Sequence, residues 1–217
     1  MADGTSGAHS RQERRARIEQ AALDLFRSRG FDRVTVEDVC AQAGVAPATF
    51  YRHFGTKEEV VFAYTEGFTA ALDEALDAAA ALPDAARLPS VLTRFAVFLE
   101  AQQDQLALRD EIVLGHPRLM QRTMTVQREL EAVLATRLGG LRESAMTDSR
   151  ALLEGGIGIL VLRVAVRAWR SGAEDSLVEA TRRALDELHA LVAGLDTNGR
   201  PAAPGRPGGG SWPPPTR

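Results

Sequence analysis

Residues 35–57, TVEDVCAQAGVAPATFYRHFGTK, constrain the fold more than any other stretch of the chain. They read as two short helices turned sharply at a glycine. Thr35, followed three positions later by Asp38, is a capping box that starts the first helix. Val36, Val39, Cys40 and Ala43 recur at helical spacing and give it one apolar face. Gly44 ends it, because a sharp turn demands the left-handed backbone that glycine adopts at little cost. Pro47 suits the first position of the next helix, where a missing N–H leaves nothing unsatisfied. That helix is about two turns long and ends near Phe54-Gly55.

Two helices set around such a turn have the layout of a helix-turn-helix, in which one lies in a DNA major groove and the other braces it. A recognition helix must bury its back and present its front. Phe50 and Phe54 share one side and would anchor it on the preceding helices, with Val45 plugging the turn. Thr49, Arg52 and His53 then point away, with Tyr51 at the flank. Their hydroxyls, imidazole and guanidinium suit phosphate oxygens, and Arg52 also suits guanine. Periodicity alone fits equally well two helices of any helical protein with a solvated polar face.

The chain has 217 residues, suited to one large or two small domains, and 45% are hydrophobic, enough for a substantial core. Its net charge of −3 means that any DNA binding must come from a local patch. Arg11, Arg14, Arg15 and Arg17 supply a cluster, and a solvated helix start explains them equally well. Lys57 is the only lysine. At the first turn of its helix it is poorly placed for the helix dipole, a mismatch that a nearby phosphate would repair. One cysteine, Cys40, allows no intrachain disulfide and points to a reducing compartment, the cytoplasm, with the thiol buried as structure. No apolar leader is visible, and the most apolar run, residues 157–168, is broken by Arg163 and Arg167. It falls short of the ~20 residues a membrane span needs.

The rest reads as helix, with no alternating strand, so the fold expected is all-α. Residues 1–10 and the Pro/Gly-rich 196–217 are expected to be disordered, with Trp212 unpacked in that tail. A first helix spans roughly 11–29 and stops at Gly30. Thr56 and Glu59 make a second capping box, opening a long fourth helix that fades around Ala81–Pro83. Further helices are expected near 89–104, 105–115, 118–138, 147–171 and 174–195. Breaks fall at Pro89, Gly115-His116-Pro117, Gly139-Gly140 and Ser171-Gly172.

The segment AGVAPATFYRHFGTKEEV, preceded by ALDLFRSRGFDRVTVEDV, resembles the DNA-binding domain of the TetR (tetracycline repressor) family of bacterial regulators. The match covers about residues 11–65. The resemblance implies a three-helix helix-turn-helix domain over 11–57, with a helical effector-binding and dimerisation domain over 58–195. It implies that Thr35 bonds a phosphate, that Thr49, Tyr51, His53 and Lys57 contact backbone or bases, and that Pro47 and Ala48 lie closest to the bases. Ala46 stands where the family often has a serine, and so loses one cap and phosphate contact, worth about 1 kcal/mol as a cap. The implied partners are a double-stranded DNA operator, a small-molecule effector and a second copy of the chain.

The last helix suits pairing, with Leu177, Thr181, Ala184, Leu188, Leu191 and Leu195 in one stripe. The helix before it is apolar nearly all round and must be covered on every side. A four-helix interface, two helices from each subunit, is the simplest cover. Gly155, Gly156 and Gly158 would be tolerated there, or beside a pocket, where backbones approach closely. Phe62, Phe95, Leu99, Ile112, His116, Met120 and Met124 are candidates to line an effector cavity, although ordinary core explains such spacings as well. Arg163 would meet an anionic headgroup or an internal partner, Glu100, Asp110 or Glu111. Asp110-Glu111 otherwise reads as a solvated helix face. No catalytic or metal-ligand spacing stands out among the four histidines and one cysteine, so no cofactor, metal or catalytic residue is expected. Two functions remain. One is a dimeric, ligand-responsive DNA-binding regulator, repressor more readily than activator. The other is a helical small-molecule-binding protein or enzyme whose helix-turn-helix is only scaffold.

Overall fold

The computed structural model describes residues 3–142 and 148–198, with side chains placed over 9–142 and 148–195. Ten α-helices and no strand occur among the described residues. No described helix is long and apolar enough to cross a membrane. The tail expected from residue 196 is helical over 196–198; the rest of it, from 199 onward, and Trp212 lie outside the described residues.

The first layer of the fold is built from α1 (Asp3–Arg29), α2 (Val36–Ala43), α3 (Pro47–His53) and α4 (Lys57–Val61). α1 begins at Asp3, so residues 3–10 continue the helix instead of forming the disordered arm expected from their polarity. Thr35 and Asp38 make the reciprocal capping box, and Gly44 takes the left-handed conformation, φ 63°. Pro47 opens α3 behind Ala46, whose side chain caps nothing. Ile18, Leu25, Phe26, Val34, Val39, Phe50 and Phe54 meet in the core, each at most 3% exposed. Cys40 is buried among them.

The long fourth helix does not form. α4 stops at Val61, residues 63–65 make a single 3-10 turn, and α5 (Glu66–Ala79) follows. The cause is tertiary and local together. The Val61 carbonyl accepts Nε of Arg109, 48 positions away, at 3.0 Å. The Thr65 amide and hydroxyl both close back on the Phe62 carbonyl. Only half of the second capping box is present: Thr56 accepts the Glu59 amide, but Glu59 reaches back to the amide of Gly55.

α6 (Asp84–Glu100), α7 (Gln103–Leu114), α8 (Pro117–Gly140), α9 (Ser149–Arg170) and α10 (Leu177–Asn198) complete the molecule. Pro89 does not break α6, which begins five residues earlier and carries the proline in its second turn. Buried Val91, Leu92 and Phe95 hold the helix together past it. α8 packs along α9, α9 along α10, and α5 along α6. Gly155 marks the closest approach. A Cβ there would sit 2.7 Å from the Glu131 carbonyl of α8. The glycines of α9 therefore serve packing of α8 and α6 within one chain, where Gly158 also meets Leu134, Leu88 and Leu92.

Candidate nucleic-acid interface and effector cavity

The back of α3 is locked and its front is free. Phe50 is fully buried and Phe54 nearly so, their rings 5.8 Å apart. Ala46, Pro47, Ala48, Tyr51 and Arg52 are exposed, and Thr49 and His53 half-buried. The Tyr51 ring stands edge-on to Phe50 at 5.5 Å, so it is oriented although 53% exposed. Nη2 of Arg52 donates to the Thr49 hydroxyl at 3.3 Å, which links the two polar groups one turn apart.

The end of α3 meets the start of α1. Desolvation lowers the His53 pKa first, and Arg52, Arg15, Arg14 and Arg11 lower it further, so the imidazole lies within a cationic patch. Arg15 is the structural member of that patch. It donates to the His53 carbonyl, pairs with Glu66 and stacks on Phe54 at 4.6 Å. Arg11 is exposed and Arg14 half-buried. Arg17 does not act on His53.

Two residues expected to reach phosphate already have partners within the chain. Lys57 donates to the carbonyls of Phe31 and Val34, at 2.9 and 3.1 Å, and lies over the Phe31 ring. Those carbonyls resolve its mismatch with the helix dipole, with no anion needed. The Thr35 hydroxyl donates to the Asp38 carboxylate and accepts the Asp38 amide. The hydrogen bonds from Thr35 hold the Asp38 carboxyl below its ordinary pKa.

A second site opens between α5, α6, α7, α8 and α9, a cavity of about 400 Å³. Phe62, Phe95, Leu99 and Arg163 line it as expected. Tyr64, Phe68, Asp110, Arg167 and Arg170 line it too. Phe68 stands edge-on to Tyr64, Phe95 and Phe98, a cluster that closes its floor. The other four candidates do not line it. Ile112 and His116 bound a small hollow against Phe26 and Phe31. Met120 and Met124 point outward, 44% and 55% exposed, because the inner face of α8 is taken by Leu119, Thr123 and Val126. Arg163 pairs with none of its three expected partners. Asp110 pairs with Arg170, Glu100 accepts from the Ser176 hydroxyl and from the Val178 amide in the first turn of α10, and Glu111 is exposed. Of the pair Asp110-Glu111, Glu111 is solvated as expected, and Asp110 is half-buried in the cavity wall. Burial raises the Asp110 pKa against the pull of Arg170.

Arg109 joins the two sites, and sequence reading passed over it. It is 1% exposed. Its guanidinium bonds Val61 of α4, Gln105 of its own helix and Glu19 of α1, and stacks on Tyr64 at 4.7 Å. Desolvation raises the Glu19 pKa and lowers that of Arg109, opposed in each case by the charge of the other. At the far end of α7, Nδ1 of His116 lies 3.5 Å from Asp32 and the ring lies 5.2 Å from Phe31.

Comparisons with known proteins agree with this geometry. Residues 18–64 match the profile described as bacterial regulatory proteins, tetR family. A Mycobacterium tuberculosis protein named as a regulator of mycofactocin biosynthesis, MftR, is 29% identical over 186 residues, covering 82% of this chain and 89% of that one. A TetR-family structure from Syntrophomonas wolfei superposes with a TM-score of 0.63 at 19% identity, over 85% of this chain and 97% of that one. Thermus thermophilus FadR, a repressor solved with lauroyl-CoA, superposes with a TM-score of 0.51 at 21% identity, over 90% of this chain and all of that one.

Proposed function

This chain belongs to the tetR family of bacterial regulatory proteins, and from that premise we propose that it is a dimeric, cytoplasmic repressor released from its operator by a small hydrophobic or amphipathic molecule. One observation carries the DNA half. α3 turns a rigid outward face of Pro47, Ala48, Tyr51 and Arg52 to solvent, beside the patch of Arg11, Arg14 and His53. Thr49, Tyr51, Arg52 and His53 are the contacts, with Pro47 and Ala48 against the bases. Ala46 contributes only its backbone. Thr35 and Lys57 act chiefly by fixing the domain.

The release half follows from α7. Leu106 and Asp110 of this helix line the cavity, while Arg109 beside them holds α1 and the end of α4. Phe62 and Tyr64, at the break between α4 and α5, line the same cavity. An occupant therefore pushes on the elements that set the position of the recognition helix.

Selection of bound sequences from random duplex DNA tests this. An inverted repeat with half-sites about one helical turn apart, or a multiple of it, is expected. Tyr51→Ala should weaken binding to the selected duplex by about tenfold or more while helicity and dimerisation persist. Unchanged affinity would support the alternative, a small-molecule protein or enzyme with a helix-turn-helix as scaffold.

A further inference from the structure

We propose that the effector is an amphipathic anion whose charged head binds Arg163, Arg167 and Arg170. This rests on the cavity being the effector site. The three arginines fall at i, i+4 and i+7 of α9, on the side that also carries Ile159, Leu162 and Val166 into the cavity. The outer side of the same helix carries Leu160 and Val164, both exposed. The three arginines are solvent-accessible, so they stand at the open mouth of the cavity, with Leu162 buried behind them.

The charges around the cavity do not balance. Asp110 is its one lining carboxylate, and it is taken by Arg170. The side chains of Arg163 and Arg167 make no ion pair or hydrogen bond among the described residues. An uncharged ligand would desolvate two guanidinium groups beside an aromatic lining and return nothing. A carboxylate or phosphate supplies the missing partner, because the planar fork of a guanidinium matches either anion. Thr123 and Gln127, on the facing side of α8, complete a polar rim, and the phenylalanine cluster receives the apolar body. A head that also engages Arg170 displaces Asp110. That cuts the tie between α9 and α7, the helix that holds the DNA-binding layer.

Calorimetric titration of the full-length protein with dodecanoate, dodecyl phosphate and dodecanol, each below its aggregation limit, tests this. At least one of the anions should bind about tenfold or more tightly than dodecanol, the worth of a charge-assisted contact, and the tighter of the two names the headgroup. R163Q/R167Q should lose about tenfold or more for the anions and leave dodecanol unchanged. Both arginines are exposed, so the fold should persist, which circular dichroism checks. D110N, with Arg170 released, should bind the anions several-fold more tightly and dodecanol no better. Dodecanol binding as tightly as either anion, or undiminished anion binding by R163Q/R167Q, would overturn the headgroup site while the cavity remained the effector site. Failure of all three probes to bind would overturn both readings.

Discussion

His53 sits where the first and third helices meet, and its chemistry should make DNA binding sensitive to pH. Desolvation, with four arginines around it, holds its pKa below the ordinary 6.5 in the free protein. A phosphate beside the ring would favour the imidazolium, so the bound pKa should be higher than the free one. Binding then takes up a proton between the two values, and linkage gives the sign: operator affinity rises as pH falls through that window and levels off below the free pKa. Titrations of a labelled duplex across that range should show this slope for the native protein and a flatter one for His53→Gln. Equal slopes would mean that His53 meets no phosphate. Lys57 differs in kind. With two carbonyls and an aromatic ring already around its ammonium, its removal should be felt in stability before it is felt in DNA contacts.

Among the helices, α7 has the most consequences for its length. It reaches the cavity, the break at residues 62–65, α1 through Glu19, and the first layer again through His116. Arg109 is its fulcrum. Arg109→Met leaves the half-buried Glu19 carboxylate and the Val61 carbonyl without their partner, and breaking a buried pair on one side costs about 3–5 kcal/mol. Chemical denaturation should show a loss of that order. Adding Glu19→Gln should restore part of it, because the unpaired charge is then gone. If Arg109→Met were as stable as the native protein, α7 would not hold the two layers together.

For the whole molecule, the exposed apolar surface is the outstanding feature. Leu153, Leu160 and Val164 of α9 and Leu191, Val192 and Leu195 of α10 are each more than 40% exposed. A groove of about 460 Å³ runs between these helices, bordered by Leu160, Val164, Leu188 and Leu191. A second copy related by a two-fold axis would cover this surface with the same surface. It would also fix the spacing of the two recognition helices, which turns two weak contacts into one tight one through effective concentration. Leu160→Glu with Val164→Glu should yield a folded monomer by sedimentation, and operator affinity should fall by about a hundredfold or more. A variant that stayed dimeric would place the interface elsewhere.

Residues 35–54 show what local chemistry settles. A capping box, a left-handed glycine and a proline at the helix start act within one turn of the chain, so α2, its turn and α3 were legible in full, as were the buried Phe50 and Phe54. The cavity was legible only in part. Phe62, Phe95, Leu99 and Arg163 fell on it, but Met120, Met124, Ile112 and His116 did not, because which side of a helix faces the hollow depends on where its neighbours pack. The i, i+4, i+7 spacing of Arg163, Arg167 and Arg170 was visible, and what it faces was not. Glu66–Ala79 has the composition of a strong helix former, and nothing in it announces the break at Val61, which depends on a guanidinium 48 positions away. The sequence alone determined the helix-turn-helix, since its determinants lie within hydrogen-bonding reach along the chain. Tertiary structure decided the break, the cavity and the role of Arg109, since each depends on contacts between distant residues that no local pattern records.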